Sequence, residues 1–175
     1  KSNPEDIIPL NFTSKKVFFN DWQLENINMV STPIVNGLKM HTLAVDDPFI
    51  NVRAEGEWLN RNGGQVSNFH INLSTEDAGE ALGRLGYAKL VKGGKGSAIF
   101  NLNWEAAPTQ FDLGNLWGSA NLSFKNGQII DLEPGAGGRL FGLISLQALP
   151  RRLAFDFKDV FSEGFNFDKI SGNFS

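Results

Sequence analysis

Residues 50–73 read INVRAEGEWLNRNGGQVSNFHINL, and this stretch carries the clearest strand pattern in the chain. Apolar and polar residues alternate strictly in its first half, which places one set on a single strand face: Ile50, Val52, Ala54, Gly56 and Trp58. Residues 60–64 have the composition of a hairpin connection, and Phe69, Ile71 and Leu73 follow on the same kind of face. The stretch therefore predicts a β-hairpin with one apolar and one polar face.

The same period recurs along the chain and predicts a mainly β fold of nine or more strands. Further strands are expected over residues 15–20, 23–30, 37–45, 97–104, 116–124 and 128–132, through Leu153, Phe155 and Phe157, and from Phe165 onwards. Two parity changes predict β-bulges, one near His41 or Thr42 and one near Lys169. Residues 92–96 and 125–127 are rich in glycine, lysine and asparagine, and we expect turns there.

Two short helices interrupt this pattern. The first is expected to begin at Ser74 or Thr75, with acidic residues in its first turn, and to end at Gly86. The second follows a glycine-rich turn and ends at Pro150, and it is apolar around most of its circumference: Leu140, Phe141, Leu143, Ile144, Leu146 and Leu149. Such a helix requires burial, and the apolar face of the sheet is the available partner.

The helices are too short to cover the sheet. A helix of about 12 residues spans roughly 18 Å, which is less than the width of a nine-stranded sheet. The sheet must therefore curl around its own apolar side, either closed as a barrel or left open as a trough. From the residues alone, the apolar positions are first explained as the ordinary core of a sandwich or barrel.

Composition excludes several classes of function. The net charge is −3 and the basic residues are scattered, which argues against nucleic acid as a partner. With no cysteine, the chain has no disulfide and no thiol chemistry. The sequence shows neither a charged leader followed by an apolar core nor an apolar run of the roughly 20 residues that a membrane helix needs. It stops within an alternating pattern, so we expect a piece of a longer protein.

Catalytic, metal and cofactor sites are not expected. His41 and His70 lie in different predicted strands, and no carboxylate spacing completes a metal site around them. Asp131 and Glu133 are more typical of a strand end and a helix cap than of an acid and base pair. The four tryptophans are dispersed, which disfavours an enzyme or a carbohydrate-binding β-sandwich.

Three segments carry a resemblance to a known family. The chain is similar to the carboxy-terminal region of the bacterial YhdP proteins, in the AsmA-like superfamily, at LGRLGYAKLVKGGKGSAIFNLNWEAAPTQFDLGNLWGSANLSFKNGQIIDLEPG, EPGAGGRLFGLISLQALPRRL and LAFDFKDVFSEGFNFDKISGNF. The similarity extends more loosely back to Trp22. It therefore assigns residues 22–175 to this β-rich region and leaves residues 1–21 as an arm or a connection from preceding structure.

The resemblance implies a fold and a function. The fold is a strongly curved, mostly antiparallel sheet with two short helices, forming an open trough with an apolar concave face. The chain would be a periplasmic segment of an inner-membrane-anchored protein of a Gram-negative bacterium, conducting phospholipids between the inner and outer membranes without catalysis. Its partners would be phospholipid acyl chains and envelope proteins near the outer membrane, with membrane contact through parts of the longer protein. The alternative is a structural or partner-docking cap that closes the groove.

The resemblance also gives the alternating residues candidate roles. The groove candidates are Ile50, Val52, Ala54, Trp58, Phe69, Ile71, Leu73, Phe100, Leu102, Trp104, Leu122, Phe124, Phe155 and Phe157. The apolar helix is a candidate plug through Leu140, Phe141, Leu143, Ile144 and Leu146. Residues 135–138 indicate a tight turn, with a lipid phosphate contact at Arg139 as the second interpretation. Arg151 and Arg152 fit a helix end first and a headgroup or partner contact second.

Overall fold

A computed structural model describes residues 2–19, 22–85, 90–111, 115–130 and 165–174. Eight strands form one antiparallel sheet in sequence order: β1 Leu10–Phe19, β2 Trp22–Ile34, β3 Gly37–Asp46, β4 Asn51–Arg61, β5 Gly64–Thr75, β6 Val91–Trp104, β7 Leu116–Ile129 and β8 Phe165–Phe174. The described residues also include one α-helix, α1 (Ala78–Arg84), and the 3₁₀ helices Pro4–Asp6 and Pro108–Gln110. The predicted mainly β, antiparallel fold is confirmed, and the second predicted helix lies outside the described residues.

The hairpin of residues 50–73 forms as predicted. β4 and β5 pair without a break from Asn51 with Ser74 to Arg61 with Gly64. Asn62 and Gly63 make the two-residue connection with φ of 50° and 80°. Positive φ at both central residues matches the right-handed twist of the flanking strands, which is why an Asn-Gly pair is favoured there.

Helix α1 shows that the sheet is strongly curved and that its concave face is apolar. The helix packs on β6 and also reaches β2, although three strands lie between them in the sheet. In a flat sheet β2 and β6 would be roughly 19 Å apart, while a helix is only about 10 Å wide. Ala78 and Ala81 are buried, at 9% and 4% exposure. The sheet therefore curls around α1.

No helix of the described residues is long and apolar enough to span a membrane.

The predicted bulge in β3 is confirmed. Val30 of β2 pairs with Thr42 and Ser31 pairs with Met40, so His41 has no direct partner in β2. On the other side, the β3–β4 register shifts between Met40 and Leu43. The extra residue returns the apolar side chains that follow the bulge to the same sheet face as those that precede it.

The predicted turns at residues 92–96 and 125–127 are wrong, because both segments lie inside continuous strands. β6 and β7 keep one register from Val91 with Ile129 to Trp104 with Leu116. Gly93, Gly94 and Asn126 adopt positive φ within the strands, at 63°, 89° and 55°. These residues tolerate that conformation, so the two strands bend together instead of reversing.

Two further boundaries differ from the predictions. The bulge expected near Lys169 is absent from the described ladder, because β7 and β8 keep one register from Ala120 with Phe174 to Ile129 with Phe165. The first helix begins later than predicted, since β5 continues to Thr75 and the capping residue is Asp77, whose carboxylate accepts from the Glu80 amide at 3.1 Å. β1 lies within the segment expected as an arm or connection, and it pairs with β2 along its length.

Candidate functional site

A continuous apolar surface crosses the concave face at right angles to the strands. Directly paired residues of antiparallel strands lie on the same face, so the register of β1 to β7 defines two adjacent rows. We call these rows the apolar stripe: Phe12, Met29, Leu43, Ala54, Ile71, Phe100 and Ala120 in one, and Ile27, Val45, Val52, Leu73, Ala98 and Leu122 in the other. It is roughly 29 Å long at the spacing of strands in a sheet.

The large side chains of the stripe are only partly covered. Val45, Ala54 and Ala98 are buried, at 3%, 8% and 3% exposure, but Ile71 and Phe100 at its centre are half-buried. At the sheet edge Phe12 is 39% exposed. Solvent therefore reaches apolar surface along the stripe, which is typical of a surface that takes up an apolar partner.

A packed aromatic rim closes one side of the stripe. Trp58, Ser67 and Trp104 pair across β4, β5 and β6, and the segment after β6 folds over Ser67 and Trp104. The Trp104 Nε1–H donates to the Ala107 carbonyl at 3.0 Å, and the Ser67 hydroxyl donates to the Ala106 carbonyl at 2.7 Å. Trp58 and Trp104 are 7% and 5% exposed, so this rim belongs to the core.

The opposite side carries a charged rim, which we define as Lys16, Glu25, Asp47 and Arg84. The Arg84 Nη1 lies 3.9 Å from both Asp47 Oδ2 and Glu25 Oε1, and the Lys16 Nζ lies 3.2 Å from Glu25 Oε1. The guanidinium also lies over the Phe49 ring, 5.2 Å from its centroid. The trough is therefore asymmetric, with aromatic core on one side and mixed charge on the other.

The convex face is polar and hydrogen-bonded. His70 Nδ1 lies 2.7 Å from Asn101 Oδ1, and its Nε2 lies 3.0 Å from the Asn72 amide nitrogen. The Asn101 amide donates to the Ser119 hydroxyl at 3.0 Å, and His41 Nε2 lies 2.7 Å from the Thr32 hydroxyl. Both histidines thus hold neighbouring strands, and across the described ranges no three metal-ligating side chains come together.

The structure brings many of the predicted groove residues together. Val52, Ala54, Ile71, Leu73, Phe100 and Leu122 lie in the apolar stripe, and Phe69 and Leu102 pair in the row beside it. Ile50 is buried at 1% exposure, like the tryptophans of the aromatic rim. Phe124 is half-buried and pairs with Gly96 in the row on the other side of the stripe. The other candidates lie outside the described residues: Phe155, Phe157, Leu140, Phe141, Leu143, Ile144, Leu146, Arg139, Arg151 and Arg152.

Sequence reasoning missed the contribution of β1 to β3 and the charged rim. Phe12, Met29 and Leu43 complete the stripe, and their alternation was available but less regular than in β4. Arg84 had one signal, a basic residue in the last turn of a helix. Nothing in the sequence paired it with Asp47, because their contact depends on the curvature of the sheet.

Together these features define a class of protein, in which the described strands form one open, curved antiparallel sheet with a stripe of paired apolar residues on its concave face. The whole chain, residues 1–175, matches the family model described as YhdP protein, and the chain belongs to this family. It is 32% identical over 137 residues to the intermembrane phospholipid transporter YhdP of Escherichia coli (strain K12), an alignment that covers 78% of this chain. The chain spans 10% of the length of that relative. No solved structure matches the chain.

Proposed function

We propose that this chain is a segment of a bridge that conducts phospholipids between the inner and outer membranes of a bacterium, with acyl chains lying along the apolar stripe. The stripe carries the proposal, because it crosses the trough from β1 to β7 without a charged residue. The E. coli relative is named an intermembrane phospholipid transporter, which supports lipid as the cargo.

Energetics favour such a surface for transport. Each methylene group moved from lipid into water costs about 0.8 kcal/mol, so a free acyl chain crosses an aqueous space very slowly. A row of Leu, Ile, Val and Phe side chains removes most of this cost. Contacts with these side chains are non-directional, so a bound chain can slide from one strand to the next without breaking hydrogen bonds.

The family relationship supports the rest of this picture. The segment would lie in the periplasm as part of an inner-membrane-anchored protein, act without catalysis and contact envelope proteins near the outer membrane. The groove, plug and headgroup residues that fall outside the described ranges keep their predicted roles in this proposal. The alternative role is a cap, in which the trough is filled and no lipid passes.

Photo-crosslinking tests the proposal directly. A photoreactive amino acid is placed at Ile71 on the stripe or at Ile99, which faces the opposite side on the neighbouring strand and is 42% exposed. Each chain is irradiated in Gram-negative cells, purified and analysed by mass spectrometry for phospholipid adducts. We expect adducts at position 71 and none at 99. Equal labelling at both positions, or none at 71, would support the cap.

A further inference from the structure

We propose that the charged rim is a recognition site for the headgroup of a zwitterionic phospholipid that carries a primary ammonium. In this arrangement Arg84 holds the phosphate, and the carboxylates of Asp47 and Glu25 hold the ammonium. The site rests on the proposed function, and it adds a headgroup preference and a fixed orientation of the lipid across the trough.

Two buried polar atoms of the rim are unsatisfied and can accept a charged partner. The Asp47 side chain is 0% exposed, and its Oδ1 accepts from the Phe49 amide at 3.0 Å. Within the described part of the chain its Oδ2 has no hydrogen-bond partner, and neither has the Arg84 Nη1 that faces it. Their separation of 3.9 Å is too long for a hydrogen bond. Buried charges normally complete their hydrogen bonds, so both groups retain capacity for a charged ligand.

The position of the rim suits a lipid whose chains lie on the stripe. Asp47 follows Val45 of the stripe by two residues along the chain, and Glu25 precedes Ile27 by two residues. Two residues of a strand span about 7 Å, so the charges flank the apolar surface at close range. Glu25 and Arg84 side chains are 27% and 21% exposed, which leaves part of the rim open to the trough.

Charge complementarity selects a zwitterion over an anion. The rim contains two cations and two carboxylates, so it attracts neither a net positive nor a net negative group over distance. An anionic headgroup would satisfy Arg84 and offer Asp47 Oδ2 at most a neutral hydroxyl donor, whereas an ammonium donates a charge-assisted hydrogen bond. A headgroup with both charges satisfies each side. The aromatic rim row of Trp58, Ser67 and Trp104 has no charge, so headgroups would align on one side only.

Competition between two headgroups tests the site. The full chain is exposed to vesicles of equimolar phosphatidylethanolamine and phosphatidylglycerol with identical acyl chains, and bound lipid is quantified by native mass spectrometry. We expect about tenfold enrichment of phosphatidylethanolamine, the scale of one charge-assisted hydrogen bond. In Arg84→Met both carboxylates remain and the rim becomes net negative, so the ratio should rise above the wild-type value, with total lipid retained on the stripe. Arg53→Met is the matched control. Arg53 forms a 2.6 Å ion pair with Asp46 and is not part of the charged rim.

A second variant keeps the test decisive if Arg84→Met does not fold. Glu25→Gln removes one carboxylate from a partly exposed position, and the preference should shift towards phosphatidylglycerol. An unchanged ratio in either folded variant, or a wild-type preference for the anionic lipid, would show that the rim is only a structural ion pair. Lipid that binds without any headgroup preference overturns this site and leaves the proposed function standing. A wild-type chain that binds no lipid overturns both.

Discussion

A single carboxylate at the centre of the apolar stripe should block lipid binding. Ile71 is half-buried and is paired directly with Ala54 and Phe100, so its neighbours across the strands are apolar. In Ile71→Asp the short side chain cannot reach solvent past these neighbours while an acyl chain lies over it. A carboxylate in a hydrocarbon environment costs about 3 kcal/mol, which corresponds to a ~100-fold loss of lipid occupancy.

The same substitution on the other face provides the control. Ile99 lies on β6 next to this position and points to the polar side, so Ile99→Asp adds the same charge without touching the stripe. Both variants are purified from the same cells, checked for native secondary structure by circular dichroism, and compared for bound phospholipid by native mass spectrometry. If the folded Ile71→Asp chain carried as much lipid as Ile99→Asp, the stripe would not be the lipid path.

Three further predictions concern stability. Gly83 lies within α1, and a methyl group added to its Cα would meet no described atom beyond its own stretch of helix within 4 Å, so Gly83→Ala should raise the free energy of unfolding by about 0.5–1 kcal/mol in urea titrations. A decrease would show that the helix does not persist in solution. Asp77→Ala removes the cap of α1 and should cost about 1 kcal/mol, or a melting temperature lower by ~2–4 °C, whereas Asp77→Asn should retain most of the cap. In Gly56→Val, the Cβ would approach the Asn68 carbonyl oxygen to 2.3 Å, and we expect a loss of about 1–3 kcal/mol. Gly64→Ala, with 3.7 Å of clearance, should be close to neutral, and equal calorimetric effects at the two glycines would contradict the close strand packing.

The strand pattern was readable because burial on one face imposes a period of two. β4 and β5 show this most clearly, since their alternating residues and the Asn62-Gly63 turn agree with one another. The bulge at His41 was readable for the same reason, because an extra residue shifts the parity of the apolar positions.

Glycine-rich segments were misread because composition does not distinguish a reversal from a bend. Gly93, Gly94 and Asn126 adopt positive φ, as turn residues do, yet both strands continue through them. The paired strands on each side of the bend form more backbone hydrogen bonds than a new turn would. This advantage depends on the pairing of two strands, so the sequence of one segment does not reveal it.

The sequence by itself determined that this protein is a mainly antiparallel β structure with one apolar face and too little helix to cover it. Tertiary structure alone decided which apolar residues form the partly exposed stripe and which, such as Trp58 and Trp104, are buried beside it. It also decided that Arg84 meets Asp47 and Glu25 at the opposite rim. The physical reason is the separation of the interacting residues along the chain. Periodicity depends on neighbouring residues and shows which side chains share a strand face, whereas sheet curvature and rim contacts depend on residues far apart in the chain.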